Sequence, residues 1–172
     1  MATVRFEIPD DVPEIRRVNE LAFGSPAEAD LVETLRARGK ATHSLVAVED
    51  NRVVGHLLLS PVMIGPGGPV QGSFSALGLG PMAVLPEHQR RGIGSALITT
   101  ALELCRSAGR DCVVVLGHAE YYPRFGFVPA SRFGLRCEYD VPDEVFMAIE
   151  LQDGALAGHN GIVRYQPEFD EV

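Results

Sequence analysis

A glycine-rich segment between a predicted strand and a predicted helix constrains the fold of this 172-residue chain more than any other feature. The segment, Gln-Arg-Arg-Gly-Ile-Gly-Ser at residues 89–95, is called the glycine loop below and follows an apolar stretch at residues 77–84. Behind it, apolar residues recur at helical spacing as far as Gly109, a typical helix stop. The next apolar run, residues 112–116, is typical of a strand buried on both faces. These patterns predict a β-α-β unit with two parallel strands.

The glycine loop opens its helix with little side chain near the backbone. The first N–H groups of a helix have no intrahelical partner, and the helix dipole adds partial positive charge there. Gly92 and Gly94 would let a ligand approach this backbone closely. The segment therefore predicts a pyrophosphate-binding site, with a plain tight turn as the alternative.

Two familiar nucleotide motifs fit the chain poorly. Leu97 stands at the third glycine position of the dinucleotide-binding fingerprint, and Asp111 precedes the next strand instead of ending it. The chain has no Gly-Lys-Ser or Gly-Lys-Thr sequence, which the nucleoside-triphosphate loop requires. A nucleotide-dependent oxidoreductase therefore remains only a minor alternative.

A second motif, Tyr-Pro-Arg-Phe-Gly-Phe at residues 122–127, follows the glycine loop. Together with Met-Ala-Val at residues 82–84, the order and spacing of these motifs resemble the GCN5-related N-acetyltransferase (GNAT) superfamily. The longer strings at residues 79–86 and 117–127 resemble the YhbS-type predicted acetyltransferases within it. The strong resemblance covers residues 77–130, and the flanking segments agree in element order.

The resemblance implies a mixed α/β (α+β) fold of three layers. A central, mostly antiparallel twisted sheet would be flanked by helices, and the parallel strands on either side of the glycine loop would splay apart. No repeat, low-complexity tract or linker divides the sequence, so we expect a single domain over residues 1–172.

The resemblance further implies acetyl-CoA as the cosubstrate and a primary amine as the acceptor, with direct attack in a ternary complex. In the family, the strand before the loop lends backbone groups to the pantetheine arm, and the loop surrounds the pyrophosphate. The cofactor-binding positions carried over to this chain are Met82, Ala83, Val84, Gln89, Arg90, Arg91, Gly92, Ile93, Gly94, Ser95, His118, Tyr122 and Arg124. For Arg90 and Arg91, a purely solubilising role is the alternative.

Tyr122 matches the family tyrosine near the cofactor sulfur and is the predicted acid that protonates the departing thiolate, with core packing as its alternative. The base is open, because residues 73–80 lack the carboxylate that many family members carry there. The candidates are His118, Glu120 and, more remotely, Glu28, whose spacing from Ser25 also predicts a helix-capping role. A water relay, or an amine that arrives neutral, would need no side-chain base.

The strand before the loop contains Gly80-Pro81 between two apolar pairs of opposite phase, Leu77 with Leu79 and Met82 with Val84. A one-residue slip of this kind predicts a bulge, and Pro81 cannot donate a ladder hydrogen bond. In the family, such an interruption opens the slot for the cofactor. A backbone N–H beyond it polarises the thioester carbonyl.

Two other functions compete with catalysis by direct attack. The missing carboxylate favours an acyl-CoA-binding regulatory module without turnover. Cys112 could form an acyl-enzyme, but it lies in an apolar run without a neighbouring base. Cys105, Cys112 and Cys137 are odd in number and lack metal-type spacing, so we expect free thiols and no metal site.

Charge and composition limit the partners. The net charge of −8 argues against a nucleic-acid partner. From residue 138 onward there are nine acids and one base, which predicts either a solvated tail or an acidic flank for cationic acceptors. The sequence has no signal pattern and no apolar stretch long enough for a membrane helix, so we expect a cytoplasmic protein. The resemblance makes a homodimer plausible.

The flanking segments predict further elements. Residues 4–8 alternate as a strand, Asp11 begins a helix carrying Ile15, Val18 and Leu21, and Ser25-Pro26 begins another as a capping box with proline at the first helical position. Residues 44–48 and 52–59 are predicted to form a hairpin across the turn-rich residues Glu49, Asp50 and Asn51, and residues 65–69 are predicted to form a loop. Strands at residues 134–139, 146–151 and 161–165 are expected to complete an antiparallel end of the sheet.

Overall fold

The computed structural model describes residues 1–65 and 74–172, so most of the loop expected at residues 65–69 lies outside the described residues. The chain forms two compact units. The first comprises Met1–Ser60, Gly80–Ala101 and Pro167–Val172, and the second comprises Pro61–Leu79 and Leu102–Gln166.

Ten strands and three α-helices make up the regular structure of the described residues. They are β1 Thr3–Phe6, α1 Val12–Phe23, α2 Ala27–Ala37, β2 His43–Glu49, β3 Arg52–Pro61, β4 Met63–Ile64, β5 Ala76–Val84, α3 Ile93–Ser107, β6 Cys112–Leu116, β7 Val128–Pro129, β8 Leu135–Cys137, β9 Phe146–Glu150 and β10 Gly161–Arg164. Strand β5 and helix α3 each run from one unit into the other.

The first unit is built on a hairpin. Strands β2 and β3 pair antiparallel, and Asp50 and Asn51 between them both have positive φ, as a tight hairpin turn requires. Strand β1 adds antiparallel to β2, and the last residues of β5 follow beside β3. The predicted hairpin and first strand are therefore confirmed. They could be predicted because turn chemistry and alternation are local properties of the sequence.

Helices α1 and α2 belong to the first unit and depart from expectation at two residues. Leu21 is 50% exposed, so only Ile15 and Val18 of the predicted apolar set are buried. Helix α2 begins at Ala27, with Pro26 at the N-cap and not at the first helical position. Ser25 still contributes, because its Oγ accepts a hydrogen bond from the Ala27 amide at 3.3 Å.

A buried polar network joins these strands and helices. The ring of His56, which is fully buried, lies 2.9 Å from Ser44 Oγ and 3.3 Å from Asn19 Nδ2. Burial lowers the pKa of His56 to about 4, so the ring is neutral at pH 7. Arg36 binds Glu7, which in turn accepts a hydrogen bond from Ser44. These polar groups stabilise the core through their hydrogen bonds to one another.

The second unit holds the parallel pair. Residues 76–79 of β5 pair in parallel with β6 from Cys112 to Val115, β6 pairs antiparallel with β9, and β9 pairs with β7. The predicted β-α-β unit is therefore confirmed. The parallel ladder ends at Leu79, directly before Gly80-Pro81, as expected from a proline without an amide hydrogen.

The expectation for the C-terminal strands was partly wrong. Strand β9 does extend the antiparallel end, but β8 and β10 form a separate sheet with β4, in the order β4-β10-β8. Strand β10 is parallel to β8 and antiparallel to β4. Tyr165, after β10, packs against Gly78, where an added Cβ would lie 2.8 Å from its ring. Alternation in sequence cannot reveal such a partner.

The acidic C-terminal segment is only partly solvated. Glu168, in a short turn at Pro167–Glu171, is buried within the first unit. Its carboxylate accepts hydrogen bonds from Lys40 at 2.8 Å and from Arg38 at 2.8 Å, and these contacts lower its pKa to about 2. One acid of the predicted acidic flank is therefore neutralised by two cations.

Glu168 is expected to stabilise the fold in a pH-dependent way. Its folded pKa of about 2 lies below the ordinary value of 4.5, so its contribution is present above about pH 4.5 and is lost as the pH falls toward 2. Glu168→Gln should lower Tm at pH 7 by about 3 °C, and the difference from wild type should shrink steadily below pH 4.5. Thermal unfolding followed by circular dichroism measures both.

Glu171→Gln, at an exposed position of the same turn, is the matched control and should leave Tm unchanged. A Glu168→Gln deficit that persists undiminished near pH 2 would contradict the ion-pair explanation.

Within the described residues, no helix is both long and apolar enough to cross a membrane.

Candidate functional site

The second half of β5 leads toward the glycine loop within the first unit. Pro81 and Ala83 are buried there, whereas Met82 and Val84 are half-buried. The apolar pattern predicts that the buried face changes from residues 77 and 79 to residues 82 and 84. Instead, burial continues at residues 81 and 83, in the same alternation as 77 and 79. Met82 and Val84 are apolar but only half-buried, so their hydrophobicity does not mark a buried face of β5.

The glycine loop itself is a tight connection with unusual backbone angles. A short turn at Pro86–His88 precedes it, and Gln89 donates from its side chain to the Val84 carbonyl at 3.1 Å. Arg90 has φ +63 and Gly92 has φ +83, both in the left-handed region. A Cβ added to Gly92 would meet no atom within 4 Å. The backbone at Gly92 therefore borders open space.

Helix α3 begins directly behind this open space. Its first intrahelical hydrogen bond runs from the Ala96 amide to the Gly92 carbonyl at 3.0 Å. The amides of Ile93 and Gly94 precede that bond, and helix geometry gives them no acceptor within the helix. Donors of this kind, together with the helix dipole, favour a bound anion.

A glycine on β3 brings the start of this helix close to the sheet. A Cβ added to Gly55 would lie 3.1 Å from Ile93 Cγ2 and 3.1 Å from Leu97 Cδ1. A larger residue at position 55 would require the side chains of Ile93 and Leu97 to shift by a few tenths of an ångström. Gly55 is not among the predicted site residues, although an isolated glycine inside a predicted strand is a signal of such a close approach.

The two arginines of the loop differ in their surroundings. Arg91 Nη2 lies 3.3 Å from Glu49 Oε1, and His88 Nε2 lies 3.3 Å from Glu49 Oε2. Arg90 is exposed and forms no ion pair with any residue in the described ranges. The purely solubilising alternative therefore fits Arg91 poorly, because its charge is used within the fold.

In the second unit, a sharp turn follows β6. The Gly117 amide donates to the Val145 carbonyl at 2.9 Å, and the His118 carbonyl accepts from the Tyr121 amide at 3.1 Å. A short helical turn at Tyr122–Phe125 then begins. This turn places Tyr122 against the end of β6.

Tyr122 is buried, with 6% of its surface exposed. Its ring meets Tyr121 and Phe127 edge to face at 5.2 and 5.6 Å. A Cβ added to Gly117 would overlap the Tyr122 ring, so only glycine fits there. Burial raises the pKa of Tyr122 to about 12, which keeps the phenol protonated at pH 7.

The other predicted residues of this unit are nearer the surface. His118 and Glu120 are exposed. The Arg124 guanidinium lies 4.7 Å above the Tyr121 ring, a cation–π contact. Glu28, in the first turn of α2 within the first unit, accepts a hydrogen bond from Ser25 Oγ at 3.5 Å.

The cysteines are free thiols, as predicted. Burial raises the pKa of Cys105 to about 11 and that of Cys112 to about 12, so neither forms a thiolate readily at pH 7. Cys112 is fully buried in β6 and is a poor nucleophile.

The structure thus brings the predicted residues together in two groups. Residues 82–84 and 89–95 lie in the first unit at the start of α3, and His118, Tyr122 and Arg124 lie in the second unit at the end of β6. Three residues that sequence reasoning missed support these groups: Glu49 and Gly55 in the first, and Gly117 in the second.

Comparison with known protein families identifies the class of this chain. The family model described as an acetyltransferase (GNAT) domain matches residues 3–130. The chain therefore belongs to the GNAT acetyltransferase family, and the predicted family, fold class and enzyme class are confirmed.

Two relatives in Escherichia coli K12 are similar over nearly the whole chain. The uncharacterized N-acetyltransferase YhbS is 36% identical over 169 residues, covering 97% of this chain and 98% of its own. The uncharacterized N-acetyltransferase YjhQ is 38% identical over 164 residues, covering 90% and 89%.

Two solved structures share the fold and more than a third of the sequence. The E. coli YhbS structure in complex with CoA matches with a TM-score of 0.91 and 36% identity, covering 98% of this chain and 92% of that one. A GNAT acetyltransferase from Brucella melitensis in complex with acetyl-CoA matches with a TM-score of 0.80 and 37% identity, covering 99% of both chains.

Proposed function

We propose that this chain transfers the acetyl group of acetyl-CoA to the primary amine of a small molecule or protein, by direct attack in a ternary complex. The observation that carries the proposal is the backbone of the glycine loop, where the left-handed Gly92 borders open space at the start of α3. The YhbS and B. melitensis relatives, crystallised with CoA and acetyl-CoA, support the same ligand class here.

The first unit fits the diphosphate of the acyl donor. The amides of Ile93 and Gly94 supply donors without intrahelical acceptors, and Arg90 supplies a charge that no described residue neutralises. The β5–β6 ladder ends at Leu79, and the backbone groups of Met82, Ala83 and Val84 beyond it are proposed to bind the pantetheine arm. Gln89 is held against this segment by its hydrogen bond to Val84.

Tyr122 is proposed to protonate the leaving sulfur. The amine nitrogen attacks the thioester carbon, the C–S bond breaks, and its electron pair leaves on sulfur, which takes the Tyr122 proton. The proton that nitrogen loses then restores the phenol, directly or through water. With a pKa of about 12, Tyr122 remains protonated until that moment, and its burial disfavours a lasting tyrosinate.

The route of the amine proton stays open between two exposed side chains and water. Glu28 binds Ser25 Oγ from the first turn of α2, which favours its structural role. His118 and Glu120 are exposed at the end of β6, where solvent can carry the proton away. A water relay requires no carboxylate on β5, and so it agrees with the absence of one from residues 73–80.

An acyl-enzyme route has little support. Cys112 is buried and its pKa is raised to about 12. Formation of a thioester on Cys112 would require a thiolate and contact with the acyl donor, and burial opposes both. Direct attack is the simpler pathway. The free thiols also support a reducing compartment, so we propose a cytoplasmic enzyme acting as one catalytic domain over residues 1–172. The homodimer stays a prediction.

Binding and turnover measurements distinguish an acetyltransferase from the two alternatives, a nucleotide-dependent oxidoreductase and an acyl-CoA-binding regulatory module. Isothermal titration calorimetry is expected to show binding of acetyl-CoA and CoA but not of NAD. Release of free CoA thiol, followed with a panel of primary amines, should then identify an acceptor that accelerates it. Binding of NAD without CoA would support the oxidoreductase alternative. Tight acetyl-CoA binding with no amine-dependent release across the panel would support the regulatory module.

A further inference from the structure

A single carboxylate anchors the segment that contains the glycine loop. Glu49 is the last residue of β2, and only 11% of its side chain is exposed. Its two oxygens contact His88 Nε2 and Arg91 Nη2, each at 3.3 Å, and the amino group of Met1 lies 3.5 Å away. The contacts at His88 and Arg91 flank Arg90, whose backbone is left-handed.

The choice of partners at Glu49 is specific. Arg52 lies opposite Glu49 in the β2–β3 register and would be its natural cross-strand partner. Arg52 instead binds Glu14 on α1 at 2.8 Å. The carboxylate of Glu49 therefore contacts His88 and Arg91, which lie 39 and 42 positions further along the chain.

A left-handed arginine costs free energy, because its Cβ crowds the backbone. Such a conformation persists only when its surroundings hold it. Contacts on both sides of Arg90, at His88 and Arg91, supply that restraint. The restraint also fixes the backbone that leads into Gly92 and the first amides of α3.

We infer that Glu49 is a positioning residue for acetyl-CoA: it holds the glycine loop in its binding conformation before the ligand arrives. This inference rests on the proposed function of the loop. An ordered loop binds more tightly because the entropy of ordering it is spent on folding and not on binding. Glu49 also neutralises Arg91, which leaves Arg90 as the loop cation for the diphosphate.

The test compares Glu49→Gln with Glu14→Gln, which breaks the neighbouring ion pair to Arg52 on the same hairpin. Glu49→Gln is expected to raise the Kd and KM for acetyl-CoA by about tenfold, with kcat within about twofold of wild type. Glu14→Gln should leave Kd and KM unchanged. The double variant Glu49→Gln/Arg91→Gln should weaken binding by less than the product of the two single effects, because the pair acts as a unit.

Hydrogen exchange on the ligand-free proteins provides a readout that does not depend on acetyl-CoA. Amides at residues 89–95 should exchange faster in Glu49→Gln than in wild type or Glu14→Gln, while the two variants share similar Tm values. Unchanged exchange and unchanged Kd would overturn the inference. Tighter binding by Glu49→Gln would also overturn it, because Glu49 would then compete with the ligand for Arg91.

Failure of the proposed function looks different. If wild-type protein binds no acetyl-CoA, the donor assignment falls, whereas the exchange experiment still reports whether Glu49 orders the loop. If wild type binds acetyl-CoA and both variants match it, only the role of Glu49 is wrong.

Discussion

Gly92→Val is expected to raise the Kd for acetyl-CoA by at least about 100-fold while leaving the protein folded. Gly92 has φ +83, which a β-branched side chain tolerates poorly, and valine would fill the open space beside the first amides of α3. Loss of about 3 kcal/mol of binding free energy corresponds to that factor. Isothermal titration calorimetry with acetyl-CoA and with CoA measures it.

Gly109→Val is a closely matched control at the other end of the same helix. Gly109 has φ +76 and, like Gly92, no atom within 4 Å of an added Cβ. Both variants should lose similar stability, since left-handed strain costs about 1–2 kcal/mol in each. Only Gly92→Val should lose affinity for acetyl-CoA. Equal affinity in the two variants would show that the glycine loop does not bind the diphosphate.

Tyr122→Phe is expected to lower kcat by about 100-fold with little change in the KM for acetyl-CoA. The substitution removes only the hydroxyl and keeps the edge-to-face contacts with Tyr121 and Phe127. Folding should therefore be unaffected. Initial rates of CoA release, with the amine that the panel identifies, measure kcat and KM separately.

Tyr121→Phe is the adjacent control, because Tyr121 packs against Tyr122 and below Arg124. Its kcat should stay within about threefold of wild type, as expected for a group outside the proton transfer. Wild-type turnover in Tyr122→Phe would remove this residue from the mechanism.

Gly117→Ala tests the position of the phenol without changing its chemistry. The added methyl group would overlap the Tyr122 ring and displace it. The Gly117→Ala effect on kcat should largely disappear in the Tyr122→Phe background, because both changes disable the same hydroxyl. Fully additive losses would indicate that Gly117 acts on something other than Tyr122.

The local elements follow from the sequence because their causes are local. Helical spacing of apolar residues with a glycine stop predicted α3, which ends at Ser107 before the left-handed Gly109. Turn chemistry at Asp50 and Asn51 predicted the β2–β3 hairpin, and the proline at position 81 predicted where the parallel ladder to β6 ends. Each of these depends on φ preferences, amide donors and periodicity within a few residues.

The supports of the site depend on distances through space, which sequence spacing does not encode. Glu49 contacts His88 and Arg91, whereas Arg52 pairs with Glu14. These contacts depend on how β2 packs against the loop. Likewise, the closeness of Gly55 to Ile93 and of Gly117 to the Tyr122 ring is a matter of packing. Sequence alone thus determined the glycine loop and the tyrosine motif, because motifs are contiguous. Tertiary structure decided what holds each in place, because ion pairs and close packing join residues that are distant along the chain.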